Sequence, residues 1–376
     1  MRGRSSVLID LGELADRLDE INIEDEGELH GALTSGLESI TDKAATQALG
    51  AMASPGRILR EYRAFQGGFE SRLWKAWKRA LDIFDLTRVL SLEFGADLNE
   101  TSRPAAAAQQ DFVFEALTRL HGRACLAASE IAALLRTGHA TGANARWRTL
   151  HELAVVALFI KEHGPEVAQR YLEHQVIEVH KRAEEYQRHC ESMGSEPLDD
   201  GEVERLRRER NRLVSRYGPH YKNQHGWAAE VLGIKGPTFA QIERSIDMDV
   251  WRPYVGMAQH GVHAGPRGAF FDLGLPDAGE MIPSGPSHFG LADPGMNSLR
   301  SLLLATLPLI VYGLNLAESD RAQMVRGTVL ITQMKMLQGL VEIGAEAFLD
   351  AHQLEEESRP EAGNPPRIWG GPKLED

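Results

Sequence analysis

The chain has 376 residues, of which 43% are hydrophobic and 25% are charged. This composition is typical of a globular protein with a sizeable core, and it excludes a chain that is disordered throughout. With 41 basic and 54 acidic residues the formal net charge is −13, which excludes indiscriminate binding to nucleic acid or to an anionic membrane, since both need a positive field. Cys125 and Cys190 form neither a disulfide framework nor a zinc-ligand spacing, so we expect a reducing, cytoplasmic location.

The two ends of the chain differ in composition from its middle. Residues 1–50 contain four basic and eleven acidic residues, and their pattern predicts two acidic amphipathic helices rather than a signal peptide, which needs an apolar core. We therefore expect residues 1–66 to form an acidic N-terminal helical segment, which is either a separate piece or an arm that binds a partner. Residues 351–376 combine a glutamate run with prolines and glycines and lack periodicity, which predicts a disordered tail.

Residues 67–350 show helical periodicity almost throughout and very little strand signal. Apolar residues recur at helical spacing across residues 113–135 and are followed by Gly138, which predicts a long amphipathic helix and its end. Residues 153–160 are apolar on all sides, as is typical of a helix at the centre of a bundle. We predict an all-α fold, a multi-helix bundle of long antiparallel helices with little or no β-structure.

Two stretches near the C-terminal end of this region stand out. Residues 301–314 are the most hydrophobic part of the chain but number only 14, whereas a membrane-spanning helix needs about 20 residues. We therefore expect a buried core helix there and no membrane partner. Residues 264–297 form a long loop rich in glycine and proline, which is either a lid over a site or a tolerated insertion.

A charged motif opens the central apolar helix. Arg148, His151 and Glu152 are spaced so that they share one helix face. Charged groups at the mouth of a buried helix must be paired, which predicts a structural Arg148–Glu152 ion pair with His151 hydrogen-bonded beside it. The alternative is metal-independent ribonuclease chemistry, in which His151 moves a proton and Arg146 or Arg148 stabilises the phosphorane. On one helix Arg146 and His151 point about 140° apart, so this chemistry requires a dimer or a frayed helix start.

A second motif is a stripe of arginines at helical spacing, Arg205, Arg208, Arg212 and Arg216. Residues 204–222 carry seven basic and two acidic residues. Such a run is usually a solvated helix face, but arginine also binds phosphate bidentately, so the stripe is a candidate patch for guiding RNA. The aromatic turn that follows contains Tyr221 and Trp227, which either line a substrate pocket or pin a corner of the fold.

A third motif contains two histidines three residues apart, His260 and His263. At a helix end they share a face and are candidate metal ligands. A metal site needs a third ligand, for which Glu152, His220 and His225 are the candidates. The alternative is that His263 forms a cap or a hydrogen bond where the helix meets the long loop. The sequence contains no HExxH, P-loop, GxSxG or dinucleotide motif, and we expect no cofactor.

The central motif resembles that of known families. The A-R-x-R-T-L-x-E pattern within residues 142–152, together with Tyr221, Trp227, Tyr254 and His263, resembles a widespread family of uncharacterised bacterial helical proteins over residues 105–320. This resemblance implies a helical bundle of bacterial origin and no established activity. The chain is also similar to HEPN proteins, helical bundles that include RNases of toxin and phage-defence systems. That similarity implies that Arg146 and His151 match the HEPN Arg-x4–6-His motif, although Trp147 departs from the polar residue usual there.

Three functions are consistent with these patterns. The first is a HEPN-like protein that acts on RNA in a defence or toxin-type role, with its catalytic centre at Arg146, Arg148, His151 and Glu152. The second is a non-catalytic helical interaction module or scaffold. The third is a metal-dependent hydrolase that uses His260 and His263 beneath the long loop. We expect RNA or a protein as the partner and a homodimer as the assembly.

Overall fold

The computed structural model describes residues 56–270, 272–274, 285–314 and 320–357, together with three pairs of residues between 41 and 50. The chain divides into two compact units, residues 1–72 and 73–376. Most of the predicted acidic segment and most of the predicted tail lie outside the described residues. In the first unit the described backbone is the beginning of a helix, where Arg60 Nε donates a hydrogen bond of 2.8 Å to the carbonyl of Gly56.

The described part of the chain is all-α, with eleven α-helices, three short 3₁₀ turns and no β-strand. The predicted fold class is therefore confirmed. The α-helices are α1 (Gly56–Ala108), α2 (Phe112–Arg136), α3 (Ala140–His163), α4 (Pro165–His189), α5 (Asp200–Tyr217), α6 (Ala229–Leu232), α7 (Phe239–Ser245), α8 (Arg252–Gln259), α9 (Pro266–Phe270), α10 (Ala292–Gly313) and α11 (Asp320–Glu357).

The long helices of the second unit pack side by side, and the pairs α2 with α3 and α10 with α11 run antiparallel. α2 and α3 form a helical hairpin joined by a three-residue turn, and α10 packs along both of them. α11 then returns along α10, so that Leu299 near the start of α10 lies beside Gly344, and Leu314 just after its end lies beside Gly327. The core of the unit is the space enclosed by α1, α2, α3, α10 and α11.

Local signals in the sequence determine where these helices begin and end. The side chain of Asp111 caps α2 by accepting a hydrogen bond of 3.0 Å from the backbone N–H of Phe114. Gly138 has a φ of 77° and follows α2, as predicted, because glycine adopts this left-handed conformation without strain. Gly164, with a φ of 81°, separates α3 from α4, and Pro165 occupies the first turn of α4, where its missing N–H is harmless.

α3 is the central helix, as its apolar composition predicts. Most of its large apolar side chains are fully buried, namely Trp147, Leu150, Val155, Phe159 and Ile160. α10 contains the most hydrophobic stretch and is, of the described helices, the one long and apolar enough to cross a membrane. In that helix 67% of the apolar window is buried inside the protein, as expected for the predicted core helix.

Two helices extend past the predicted domain boundaries, and the predicted loop contains a short helix. α1 runs through the predicted domain boundary at residue 66, and α11 continues past residue 350. The long Gly/Pro-rich loop contains α9 and ends before residue 297, where α10 has already begun. Its described flanks are fixed to the start of α3, because Thr141 Oγ1 donates to Asp272 Oδ2 (2.9 Å) and the N–H of Ser287 donates to the carbonyl of Gly138 (2.9 Å). Residues 275–284 lie outside the described residues.

The contact between α1 and α2 requires a glycine. A Cβ atom at position 95 would lie 2.1 Å from Cε1 of His121, so Gly95 is the residue that fits there. His121 is buried, and its Nε2 lies 3.5 Å from Sγ of Cys125. Burial lowers the pKa of His121 to about 4, although a hydrogen bond to the backbone of Ser91 acts in the opposite direction. His121 is therefore neutral at neutral pH.

We expect His121 to make the protein sensitive to mild acid. Its pKa is about 4 in the folded state against an ordinary value of 6.5, so the unfolded chain binds more protons between these two pH values. The free energy of unfolding should fall by about 3 kcal/mol from this source as the pH drops from 6.5 to 4. His121→Gln lacks the imidazole and should lack this loss. Urea denaturation of both proteins across this range measures the effect, and a pH-independent difference between them would contradict it.

Candidate functional site

Arg146 and His151 do not face a common site within one chain. Both lie on α3, which is helical without interruption from Ala140, so their separation of five residues turns the side chains about 140° apart. Arg146 pairs with Glu130 on α2 and donates to Oγ1 of Thr149 at 3.3 Å, whereas His151 points into the core. The frayed helix start that would bring the two together is not present in α3.

The structure encloses His151 completely. Its side chain is 1% exposed, and Nε2 lies 3.0 Å from Oε1 of Glu243, whose side chain is 0% exposed. The other carboxylate oxygen of Glu243 accepts a hydrogen bond of 2.8 Å from Arg252. These three residues form a continuous hydrogen-bonded set, which we call the His–Glu–Arg network, and it connects α3 to α7 and α8.

The charges in the His–Glu–Arg network are determined by its hydrogen bonds. Burial on its own raises the pKa of Glu243, but the hydrogen bonds from His151 and Arg252 outweigh burial and hold that pKa below its ordinary value. Because the carboxylate is ionised and accepts, Nε2 of His151 is the donor. Nδ1 of His151 is buried and has no hydrogen-bond partner among the described residues. The imidazole is thus oriented as a general base would be, but a substrate cannot reach it in this conformation.

The predicted ion pair between Arg148 and Glu152 is present, with Nε of Arg148 3.0 Å from Oε1 of Glu152. The expectation that this pair is buried is wrong, because its side chains are 27% and 38% exposed. The buried face of α3 passes through His151 instead. A partly exposed pair at this spacing contributes about 0.3–0.5 kcal/mol to stability, so Arg148 and Glu152 do little to hold the bundle together.

The arginine stripe on α5 faces solvent and is largely paired with glutamates. Arg208 is exposed. The other three members pair as Arg205 with Glu202 (3.7 Å), Arg212 with Glu209 (3.0 Å) and Arg216 with Glu173 (3.4 Å). These pairs cancel much of the local positive charge that the sequence shows. The arrangement is typical of a solvated helix face.

The aromatic turn after α5 is part of the core. Tyr221 is 1% exposed and its hydroxyl donates a hydrogen bond of 2.6 Å to the carbonyl of Arg170. Gly226 permits the tight turn, since a Cβ atom there would lie 2.4 Å from the carbonyl oxygen of Tyr221. Trp227 is buried and its ring packs edge-on against Phe159, with centroids 5.5 Å apart. Of the two alternatives for this turn, the one that applies to Tyr221 is that it holds a corner of the fold in place.

His260 and His263 lie directly after α8, as the predicted helix end requires. Among the described residues no group of three or more histidine, cysteine, aspartate or glutamate side chains is placed to hold a metal ion. Glu152, one of the proposed third ligands, is held by Arg148. The described residues therefore give the predicted metal centre no third ligand.

A groove that the sequence motifs did not predict lies between α2 and α4. Its volume is about 670 Å³, which suits a small organic ligand. Its apolar and aromatic lining is formed by Leu120, Leu153, Tyr171, Leu172 and Trp227. We call this feature the α2–α4 groove, and Trp227 is a predicted substrate-binding residue that lines it.

The rest of the α2–α4 groove is polar. Its polar lining consists of Glu115, Arg119, Arg123, His174, Gln175 and Glu178. Nε2 of His174 donates to the carbonyl oxygens of Tyr221 and Asn223, both at 3.0 Å, and Nδ1 lies 3.8 Å from Oε1 of Glu178. The neighbouring His174 lowers the pKa of Glu178 below its ordinary value, against the effect of partial burial. His174 and Glu178 are therefore neighbours within the groove.

The two arginines of the α2–α4 groove differ in their hydrogen bonds and ion pairs. Arg119 donates to Glu115, which also accepts a hydrogen bond of 2.9 Å from Arg103. Burial raises the pKa of Glu115, but the two guanidinium groups outweigh burial and hold it below its ordinary value. Arg123 has no ion pair or hydrogen bond with any described residue, although its charge acts on the nearby Tyr171. Arg123 is thus a cation in the groove that an anionic ligand can engage.

Comparisons with known proteins give one family match, over part of the chain. Residues 114–281 match the model of a family of unknown function, DUF5677. This segment contains the start of α3, Glu243, Arg252 and the whole lining of the α2–α4 groove. No curated protein and no solved structure matches the chain. The expected resemblance to an uncharacterised domain family is therefore confirmed, and over residues 114–281 the chain matches DUF5677.

Proposed function

We propose that this protein is a helical binding module, and that its α2–α4 groove takes a small ligand with one anionic group on an apolar or aromatic body. In this proposal His151 stabilises the fold. The observation that carries the proposal is Arg123, a guanidinium without a partner among the described residues at the edge of a groove of about 670 Å³. Sites for small molecules usually combine an apolar cavity with a few convergent polar groups.

The lining of the groove supports this ligand chemistry. Leu120, Leu153 and Tyr171 offer an apolar surface to the body of a ligand. Neither carboxylate in the groove pairs with Arg123, since Glu115 accepts hydrogen bonds from two other arginines and Glu178 lies beside His174. An arginine left available in this way binds a carboxylate or a phosphate through two parallel hydrogen bonds.

Substitution of Arg123 should remove binding without affecting the fold. We expect a ligand found in a panel of aromatic carboxylates and nucleoside monophosphates to raise the melting temperature of the wild type. Arg123→Gln should bind that ligand about 10–100-fold more weakly, because a hydrogen bond to a charged group contributes about 1.5–3 kcal/mol. Isothermal titration calorimetry measures both affinities.

The matched control is Arg207→Gln, which removes an exposed arginine on α5 that pairs with Glu204 and does not line the groove. It should bind the ligand as the wild type does. The proposal is wrong if Arg123→Gln binds with wild-type affinity, or if no compound of the panel binds at millimolar concentration.

A second candidate function is RNA cleavage of the HEPN type, in a defence or toxin-type role. It would use His151 as the base, with Arg146 or Arg148 stabilising charge and the α5 arginine stripe guiding RNA. One observation favours it: Nδ1 of His151 is unpartnered among the described residues while Glu243 orients the ring, which is how a general base is held. In this conformation His151 is enclosed, so cleavage would require α7 and α8 to move away from α3.

A further inference from the structure

α11 carries an exposed apolar stripe along most of its length. Five large apolar side chains, between 44% and 65% exposed, form it: Val325, Val329, Met336, Ile343 and Leu354. Monomeric proteins scatter single apolar residues over their surface, but an extended row on one helix marks a surface that another molecule covers. We call this row the α11 stripe.

The spacing of the α11 stripe is that of a helix–helix seam. Val329, Met336 and Ile343 follow one another at intervals of seven residues, the repeat by which two helices pack along each other. Between them on the same face lie Thr332, which is exposed, and Gly339, around which a Cβ atom would meet nothing within 4 Å. Small residues at these positions allow a second helix to approach closely.

The α11 stripe continues onto α1. Arg79 of α1 pairs with Asp350 of α11 at 3.2 Å, and Asp350 lies seven residues after Ile343, on the same flank of the helix. Leu86 of α1 is 47% exposed and comes one turn after Ile83, which packs against Gly344. The apolar surface therefore extends over two neighbouring helices of the second unit.

The charges of α11 indicate what covers this surface. Residues 324–340 contain two basic residues, Arg326 and Lys335, and no acidic ones, whereas residues 341–357 contain six acidic residues and no lysine or arginine. Arg326 donates a hydrogen bond to Ser102 of α1, so the exposed Lys335 is the cation that can face a second helix. A second α11 laid antiparallel places Lys335 of each helix against the acidic half of the other. A parallel arrangement would place like charges together.

We propose that the α11 stripe binds a second copy of this chain, as an antiparallel pair of α11 helices around a two-fold axis near Gly339. In one register Met336 lies opposite Ile343 of the second copy and Val325 lies opposite Leu354. Val329 then lies opposite Asp350, which pairs with Arg79 of its own chain. In the same register Lys335 faces the glutamates of the acidic half. A two-fold axis makes every such contact twice, as in a self-complementary dimer interface.

The dimer and its location are tested by measuring the mass of the full chain in solution by sedimentation equilibrium. The wild type should be a dimer, and Met336→Glu should shift it to the monomer with at least 100-fold weaker association. Ile331→Glu is the matched control, since Ile331 is 43% exposed on the opposite flank of α11, and it should remain a dimer. A monomeric wild type, or a dimer that Met336→Glu leaves intact, would overturn the proposal.

Cross-linking tests the register without disturbing the apolar contacts. Gly339→Cys should form an intermolecular disulfide on mild oxidation, because the two-fold axis brings both copies of this position together, and the native Cys125 and Cys190 are buried. Thr328→Cys, on the exposed surface of the same helix, should not, since its two copies lie about 35 Å apart in this register. Cross-linking of Thr328→Cys but not of Gly339→Cys would overturn the antiparallel arrangement.

Discussion

Replacing Glu243 by alanine should lower the free energy of unfolding by about 3–5 kcal/mol, because this carboxylate accepts two hydrogen bonds and a hydrogen bond to a charged group contributes about 1.5–3 kcal/mol. Glu243 is 0% exposed and accepts hydrogen bonds from both His151 and Arg252. Without the carboxylate, the Nε2–H of His151 loses its acceptor inside the core. Urea denaturation at pH 7, followed by circular dichroism, measures the change.

Glu152→Ala serves as the control for Glu243→Ala. It removes a carboxylate that also pairs with an arginine, but this pair is partly exposed, so the loss should stay below about 1 kcal/mol. A double-mutant cycle with His151→Gln and Glu243→Gln should in addition show that the two side chains are energetically coupled. Equal losses from Glu243→Ala and Glu152→Ala would contradict a structural role for the His–Glu–Arg network.

Replacing Trp147 by alanine should cost about 3–5 kcal/mol, as expected for a fully buried aromatic residue. Trp147 is 0% exposed, and its Nε1 donates a hydrogen bond of 2.9 Å to Oγ of Ser301 on α10. The substitution would leave a cavity between α3 and α10 and an unsatisfied hydroxyl in the core. Thermal and urea unfolding of the variant measure the loss.

Trp147→Phe separates the two contributions of this residue. It keeps most of the packing but not the N–H donor, so we expect it to lose about 1–2 kcal/mol, of which the hydrogen bond accounts for about 1 kcal/mol. The indole of Trp147 joins two core helices, α3 and α10. A loss below 1 kcal/mol in Trp147→Ala would show that Trp147 does not connect α3 to α10 in solution.

The helices were predictable because they depend on local spacing. Apolar residues at helical spacing, followed by Gly138, identify α2, and the uninterrupted apolar run identifies α3. In both cases the residues that carry the signal lie close together in the sequence. The Arg148–Glu152 pair was predictable for the same reason, since residues four apart meet on any helix. Its exposure was not, because exposure depends on which neighbouring helices cover that face.

The functional features were harder to predict because they join distant parts of the chain. Glu243 lies in a short helix, 92 residues after His151. No local sequence pattern indicates that these two side chains are in contact. The α2–α4 groove has a signal in the sequence, namely Arg119 with Arg123 and His174 with Glu178, both at helical spacing. Spacing within each helix does not show that the two helices face one another across a groove.

We propose that His151 stabilises the fold and is not a catalytic residue. The most direct test is degradation of single-stranded RNA by the wild type and by His151→Gln, with and without EDTA, at a temperature where circular dichroism shows both proteins folded. We predict no difference in RNA degradation between the two proteins in either condition. EDTA-resistant degradation by the wild type that disappears in folded His151→Gln would contradict the claim.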